Sequence, residues 1–220
     1  MNNKRIEIPL KYRIRKSTLN KNAPAIFFLH GYGTSMNDLF PLSQFFPADF
    51  AVVSLQAPFY NGFGGYAWAE LDLSNLRELP KPEQKVESIN RIHESIVKLK
   101  ENFNFDENEI NILGFSQGGD LALSTGFKFP TSVKGIISLC GYFDIKKIEF
   151  DLDHDELKKL KIFLSSALYD DKVPVHLGRM THLSLKKINL SPTYFEYDTG
   201  HTISNECLKN VLDWLSLTKK

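Results

Sequence analysis

Short apolar runs alternate with helical stripes along most of the chain. Ala25-Ile-Phe-Phe-Leu29 and Phe50-Ala-Val-Val-Ser-Leu55 are almost unbroken in apolar character. That is the pattern of parallel strands covered on both faces, not of strands with one wet face. Glu109–Leu113, Val133–Leu139, Lys161–Ala167 and Thr193–Tyr197 also predict strands, and the apolar–polar alternation of Ile6–Ile14 predicts an edge strand. Between the runs lie stripes of helical period. Residues 81–101 put Val86, Ile89, Ile92, Ile96 and Leu99 on one face, with Pro80 and Pro82 near the start, where proline is tolerated. Gln117–Phe127 and Val175–Lys187 predict two more helices, and Leu208, Val211, Leu212 and Leu215 mark an amphipathic last one. This alternation predicts a mostly parallel central sheet with helices on both faces. Reacting groups on such sheets collect in loops beyond the carboxyl ends of the strands.

Composition narrows the picture. With 220 residues, 42% hydrophobic and 24% charged, the chain is expected to form one domain over residues 1–220. Its 27 basic and 26 acidic residues nearly cancel, which leaves no surplus of Lys and Arg for nucleic acid. The N-terminus lacks the apolar core of a signal peptide, and no later stretch is long and apolar enough for stable membrane insertion. A cytoplasmic location is the resulting expectation. Cys140 and Cys207 are the only cysteines. They read as buried, reduced thiols, too few for a disulfide framework or a zinc site of their own.

The chemistry concentrates first at Gly114-Phe-Ser-Gln-Gly118. This G-x-S-x-G follows a predicted strand and opens a predicted helix, the setting of a nucleophile elbow. The sharp turn holds Ser116 in a strained backbone conformation, and glycine is needed on either side because a side chain there would strike neighbouring backbone. The helix start also aims free N–H groups at the site.

A serine hydroxyl needs a base, and on this kind of fold the partners follow as Asp or Glu, then His. Of the six histidines, four come after Ser116. His154 sits in a charged surface run, and His176 and His182 sit in a helical stretch. His201 lies in a loop after the last strand, where an imidazole reaches over the sheet, and is the expected base. Asp170 follows the strand Lys161–Ala167 and would orient that imidazole. Asp171 and Asp144 are its rivals. An oxyanion hole requires two backbone amides: one is expected from Gln117, the other from the His30-Gly-Tyr-Gly33 loop. His30 itself precedes Ser116 and is expected to brace that loop.

Leu29-His-Gly-Tyr-Gly33, Gly114-Phe-Ser-Gln-Gly-Gly119, Tyr169-Asp-Asp-Lys-Val-Pro174 and Gly200-His-Thr-Ile203, in that order, resemble the phospholipase/carboxylesterase family, which includes acyl-protein thioesterases. The resemblance runs from about residue 20 to the end of the chain. It implies an α/β-hydrolase fold with a minimal cap and a Ser116–Asp170–His201 triad acting on carboxylic esters. The family's aspartate stands four residues before a proline, which favours Asp170 over Asp171, and its oxyanion loop maps a donor to Tyr32. Ala167 departs from the family's usual glycine, and Asn61–Trp68 matches the corresponding loop only loosely.

The expected function is a serine carboxylesterase for short to medium acyl chains, with acyl-protein thioesterase or lysophospholipase as the alternative. A non-catalytic binding module on the same fold is the reading from another class. Phe59, Phe63, Trp68 and Phe143 stand in loops near the expected site and are candidate substrate-binding residues. No metal or organic cofactor is implied. The expected partner is a small-molecule ester, met by a monomer or homodimer. Gly62-x-Gly64-x-x-Ala67 fits a dinucleotide fingerprint only superficially, since Pro58 interrupts the run before it. Asp153-His154-Asp155 is too contiguous to point at one ion. The charged segment 143–160 is the only candidate cap, and it is short for a lipase lid.

Overall fold

A computed structural model describes residues 7–62, 64–71, 81–145 and 155–218. Its elements in chain order are β1 (Tyr12–Arg15), β2 (Ala23–Leu29), α1 (Met36–Leu39), β3 (Ala51–Leu55), β4 (Phe59–Tyr60), β5 (Tyr66–Ala67) and α2 (Pro82–Phe103). They continue as β6 (Phe105–Phe115), α3 (Gln117–Lys128), β7 (Gly135–Leu139), β8 (Lys161–Ala167), α4 (Val175–Lys187), β9 (Thr193–Tyr197) and α5 (Asn205–Thr218). Seven strands form one sheet in the order β1-β3-β2-β6-β7-β8-β9. Only β1, at the edge, runs antiparallel to its neighbour. Strands β4 and β5 make a separate two-residue hairpin that the periodicity did not predict.

The unbroken apolar runs follow from burial on both sides. Along β2, Ala25, Phe27 and Leu29 join a core with Ile89, Ile92, Ile96 and Leu99 of α2, Leu121 of α3 and Leu185 of α4. Ile26 and Phe28, pointing the opposite way, join Leu39 of α1 and Leu208, Val211, Trp214 and Leu215 of α5. A strand wetted on one face would have kept polar residues at every second position.

The edge strand is shorter than its pattern predicts. Pro9 has no amide to give a ladder, and Leu10 turns into the core, 3% exposed, so pairing begins only at Tyr12. Of the candidate cap, residues 146–154 lie outside the described residues, as do Asp153 and His154 of the weighed metal cluster, while Asp155–Lys159 form a short 3-10 turn. Among the described residues no helix is long and apolar enough to cross a membrane.

The topology decides where chemistry can occur. From β2 the chain moves one way across the sheet to β3, and from β6 the other way to β7, although β2 and β6 are hydrogen-bonded neighbours. In open sheets of this kind ligands bind where the winding reverses, beyond the carboxyl ends of those two strands. The residues that follow them are His30 and Ser116.

Candidate active site

Ser116 has φ +55° and ψ −120°, a region that L-residues avoid and that persists only where the surroundings enforce it. Enforcement is local. The Ser116 amide donates to Leu139 O at 2.9 Å, and its carbonyl accepts the Gly119 amide at 2.9 Å. A Cβ at Gly114 would fall on the Gly118 carbonyl, and one at Gly118 on the Leu29 carbonyl. The two glycines are thus required by close approach, as the motif implies.

Asp170 and His201 meet across the loops after β8 and β9. His201 Nδ1 donates to Asp170 Oδ2 at 2.7 Å, and the carboxylate is fully buried. Its other oxygen accepts the amides of Lys172 at 2.9 Å and Val173 at 2.7 Å. Asp171, by contrast, is exposed and pairs with Lys172 Nζ, which holds its carboxyl below the usual range. The Tyr142 hydroxyl is raised, by burial first and then by the charge of Asp144, the other rival. The imidazole of His201 meets the Ser116 turn through the Phe115 ring, centroids 4.8 Å apart. Among the described residues no hydrogen bond joins Ser116 to His201. Such contacts commonly tighten only when substrate enters.

The amides of Tyr32 and Gln117 donate to no group among the described residues. Gly31, beside Tyr32, is packed so near the elbow that its Cβ position lies 3.5 Å from Ser116 Cβ. Two unspent donors therefore stand on the segments flanking the serine.

His30 braces this loop as a neutral ring. Ala57 N–H can only donate, and it points to Nε2 at 3.1 Å, so Nε2 is bare and the proton sits on Nδ1. Nδ1–H donates to Gly31 O at 2.8 Å. Burial pushes the imidazole down to about 4, outweighing the Gly31 bond and the charge of Asp38. Two further histidines are engaged elsewhere: His93 stacks on Phe129 and His182 on Tyr194.

Two of the four candidate substrate-binding residues have no surface to offer a ligand. Trp68 is 0% exposed and donates its indole N–H to His30 O at 2.8 Å. Phe143 is 1% exposed and packs on Phe127 of α3. Both belong to the apolar core. Phe59, in β4, is half-buried, and Phe63 lies outside the described residues. Cys140 was not singled out for the site, yet its Sγ lies within 4.8 Å of ligand atoms of Asp170 and His201. Burial, with Asp170 next, pushes the thiol up to about 12, and His201 Nδ1 is engaged by Asp170 in the 2.7 Å hydrogen bond. A position at the carboxyl end of β7 was the signal in the sequence.

A parallel sheet covered on both faces, with a strained serine between strand and helix at its winding switch, defines an α/β-hydrolase-type enzyme. The chain belongs to the phospholipase/carboxylesterase family, whose model matches residues 13–219. It is 28% identical over 154 residues to acyl-protein thioesterase 1 of Yarrowia lipolytica, spanning 68% of this chain and 67% of that protein. It is 29% identical over 202 residues to carboxylesterase SOBER1 of Arabidopsis thaliana, spanning 86% and 88%. Among solved structures the Bacillus cereus carboxylesterase shares the fold, with a TM-score of 0.83, 18% identity and coverage of 96% and 95%.

Proposed function

We propose that this hydrolase cleaves carboxylic esters of short to medium acyl chains through an acyl-enzyme on Ser116. The observation that carries the reading is the buried Asp170–His201 pair at 2.7 Å, standing against the strained Ser116 turn through Phe115. Asp170 fixes the proton on His201 Nδ1, which leaves Nε2 as a base facing away from the carboxylate. Ser116 Oγ attacks the ester carbonyl as Nε2 takes its proton. The Tyr32 and Gln117 amides receive the developing oxyanion, and Nε2–H then protonates the departing alcohol. A water repeats the sequence, giving its proton to Nε2 and its hydroxyl to the acyl carbon, and Ser116 leaves with the proton returned.

A thioester reading is favoured by one specific finding: a curated relative is named acyl-protein thioesterase 1. The two share every step except the leaving group, a thiol in place of an alcohol.

The decisive test pairs Ser116→Ala with labelling. Wild type is expected to hydrolyse p-nitrophenyl butyrate and to be labelled on Ser116 by a fluorophosphonate, and the variant to do neither. Hydrolysis retained by the variant overturns the acyl-enzyme, and unlabelled, inert wild type turns the reading to a binding module. Matched oxygen and sulfur esters across a series of chain lengths then rank the two substrate classes.

A further inference from the structure

Tyr32 sits in a loop held on either side by one and the same segment. Before it, His30 O accepts the Trp68 indole N–H at 2.8 Å. After it, the Gly33 amide donates to Tyr66 O at 2.9 Å, and Thr34 O accepts the Tyr66 amide at 2.8 Å. The stretch 66–69 is therefore the frame on which the Tyr32 amide hangs.

That frame is gripped in turn by a single side chain. Gln117 Oε1 accepts the Trp68 amide at 2.9 Å, and Gln117 Nε2 donates to Ala69 O at 2.6 Å. One planar amide thus satisfies a donor and an acceptor on consecutive residues. From the other side Ser88 Oγ donates to Trp68 O, and Gln84 Oε1 accepts the Glu70 amide, so α2 closes the clasp. The contact crosses 49 positions of sequence and joins the first residue of α3 to the stretch that holds the Tyr32 loop.

We propose that the Gln117 side chain is a positioning residue: gripping Trp68 and Ala69, it sets the Tyr32 amide in register with the amide of Gln117 itself. This rests on the acyl-enzyme reading above. One residue then supplies one oxyanion donor and aims the other. The function needs a group that donates and accepts at once. Asparagine is a methylene short, methionine has no donor and accepts only weakly, and an ionised glutamate accepts from Trp68 N–H but sets an anion against the Ala69 carbonyl. A protonated glutamate donates there again.

The test uses the whole chain with a short p-nitrophenyl ester and a trifluoromethyl ketone, whose serine adduct carries an oxyanion. Gln117→Met is expected to lower kcat about ten- to a hundredfold while KM stays within about twofold, since misplaced donors act on the transition state. Affinity for the ketone is expected to fall in step with kcat. The kcat ratio of Gln117→Glu to wild type is expected to climb as pH is lowered from 8 to 5, whereas the Gln117→Met ratio stays flat. A folded Gln117→Met with unchanged kcat and ketone affinity overturns the inference. If that variant does not fold, a flat Gln117→Glu ratio overturns it alone. Fluorophosphonate labelling of wild type separates the two levels: with Ser116 labelled, these failures fall on the clasp, and with Ser116 unlabelled they fall on the acyl-enzyme beneath it.

Discussion

His201 Nδ1 lies 2.7 Å from Asp170 Oδ2, while Asp170 Oδ1 holds the amides of Lys172 and Val173. One carboxylate therefore fixes both a loop and an imidazole tautomer. Asp170→Asn separates the two roles. The amide oxygen still accepts the two backbone N–H groups, but its NH₂ faces Nδ1 and forces the His201 proton onto Nε2, where it blocks proton removal from Ser116. We expect kcat at neutral pH to fall about 10³- to 10⁴-fold, with a urea midpoint close to wild type. A kcat within a few-fold of wild type would show that Asp170 does not orient the base.

The elbow makes a stability prediction. A Cβ at Gly118 meets the carbonyls of Leu29 and His30, and Leu29 cannot yield because it closes β2 against Gly114 of β6. Gly118→Ala is expected to cost about 3 kcal/mol, the upper range for overpacking a rigid site. Gly200→Ala supplies the contrast, since its nearest foreign atom is Tyr169 O at 3.8 Å, and should change stability by no more than about 1 kcal/mol. Urea denaturation of both variants decides; equal losses would remove close approach as the reason for glycine at 118.

These particulars show where sequence is a sufficient guide and where it is not. Strand runs were legible because burial on both faces erases polar positions, as in Ala25–Leu29. Ser116 was legible because two glycines and a strand–helix boundary are local constraints. Asp170 was distinguished from Asp171 by resemblance alone; adjacent aspartates differ only in which one the turn at Lys172–Val173 draws inward. Trp68 and Phe143 depart from expectation because loop position does not say which way an aromatic ring points, and here both rings join the core. The Gln117 clasp was invisible, since a hydrogen bond to Trp68 leaves no local pattern at either end. The β4–β5 hairpin, two residues a side, is too short for any period.

Cys140 offers a chemical prediction. Its thiol is buried near the Asp170–His201 pair and pushed up to about 12, while burial also raises Cys207. Alkylation requires thiolate and access, and both are withheld. Native protein treated with iodoacetamide at pH 7.5 should stay unmodified, and in concentrated urea should gain two adducts, one per cysteine. Rapid alkylation of Cys140 in the native state, read by peptide mass spectrometry, would contradict its burial beside the pair.

The neutral His30 links stability to pH. In an unfolded chain a histidine takes up its proton near 6.5, but His30 within the fold resists until about 4. Between those values the unfolded chain binds the extra proton, so stability falls as pH falls through this window. It is retained in full above about 6.5, and below about 4 this group causes no further loss. The difference corresponds to about 3 kcal/mol across the window. Protonation of Nε2 would also turn an acceptor for the Ala57 amide into a second donor, so the loop after His30 and the connection at Ala57 should loosen together. His30→Gln removes the titration while keeping an oxygen able to accept that amide. Urea unfolding at pH 4.5, 5.5 and 7 should therefore give wild type a steeper dependence on pH than the variant, by up to one proton. All other titrating groups are common to both proteins and cancel in the comparison. Parallel pH dependences would mean that His30 is not held neutral by burial, and the tautomer that braces Gly31 would have to be abandoned with it.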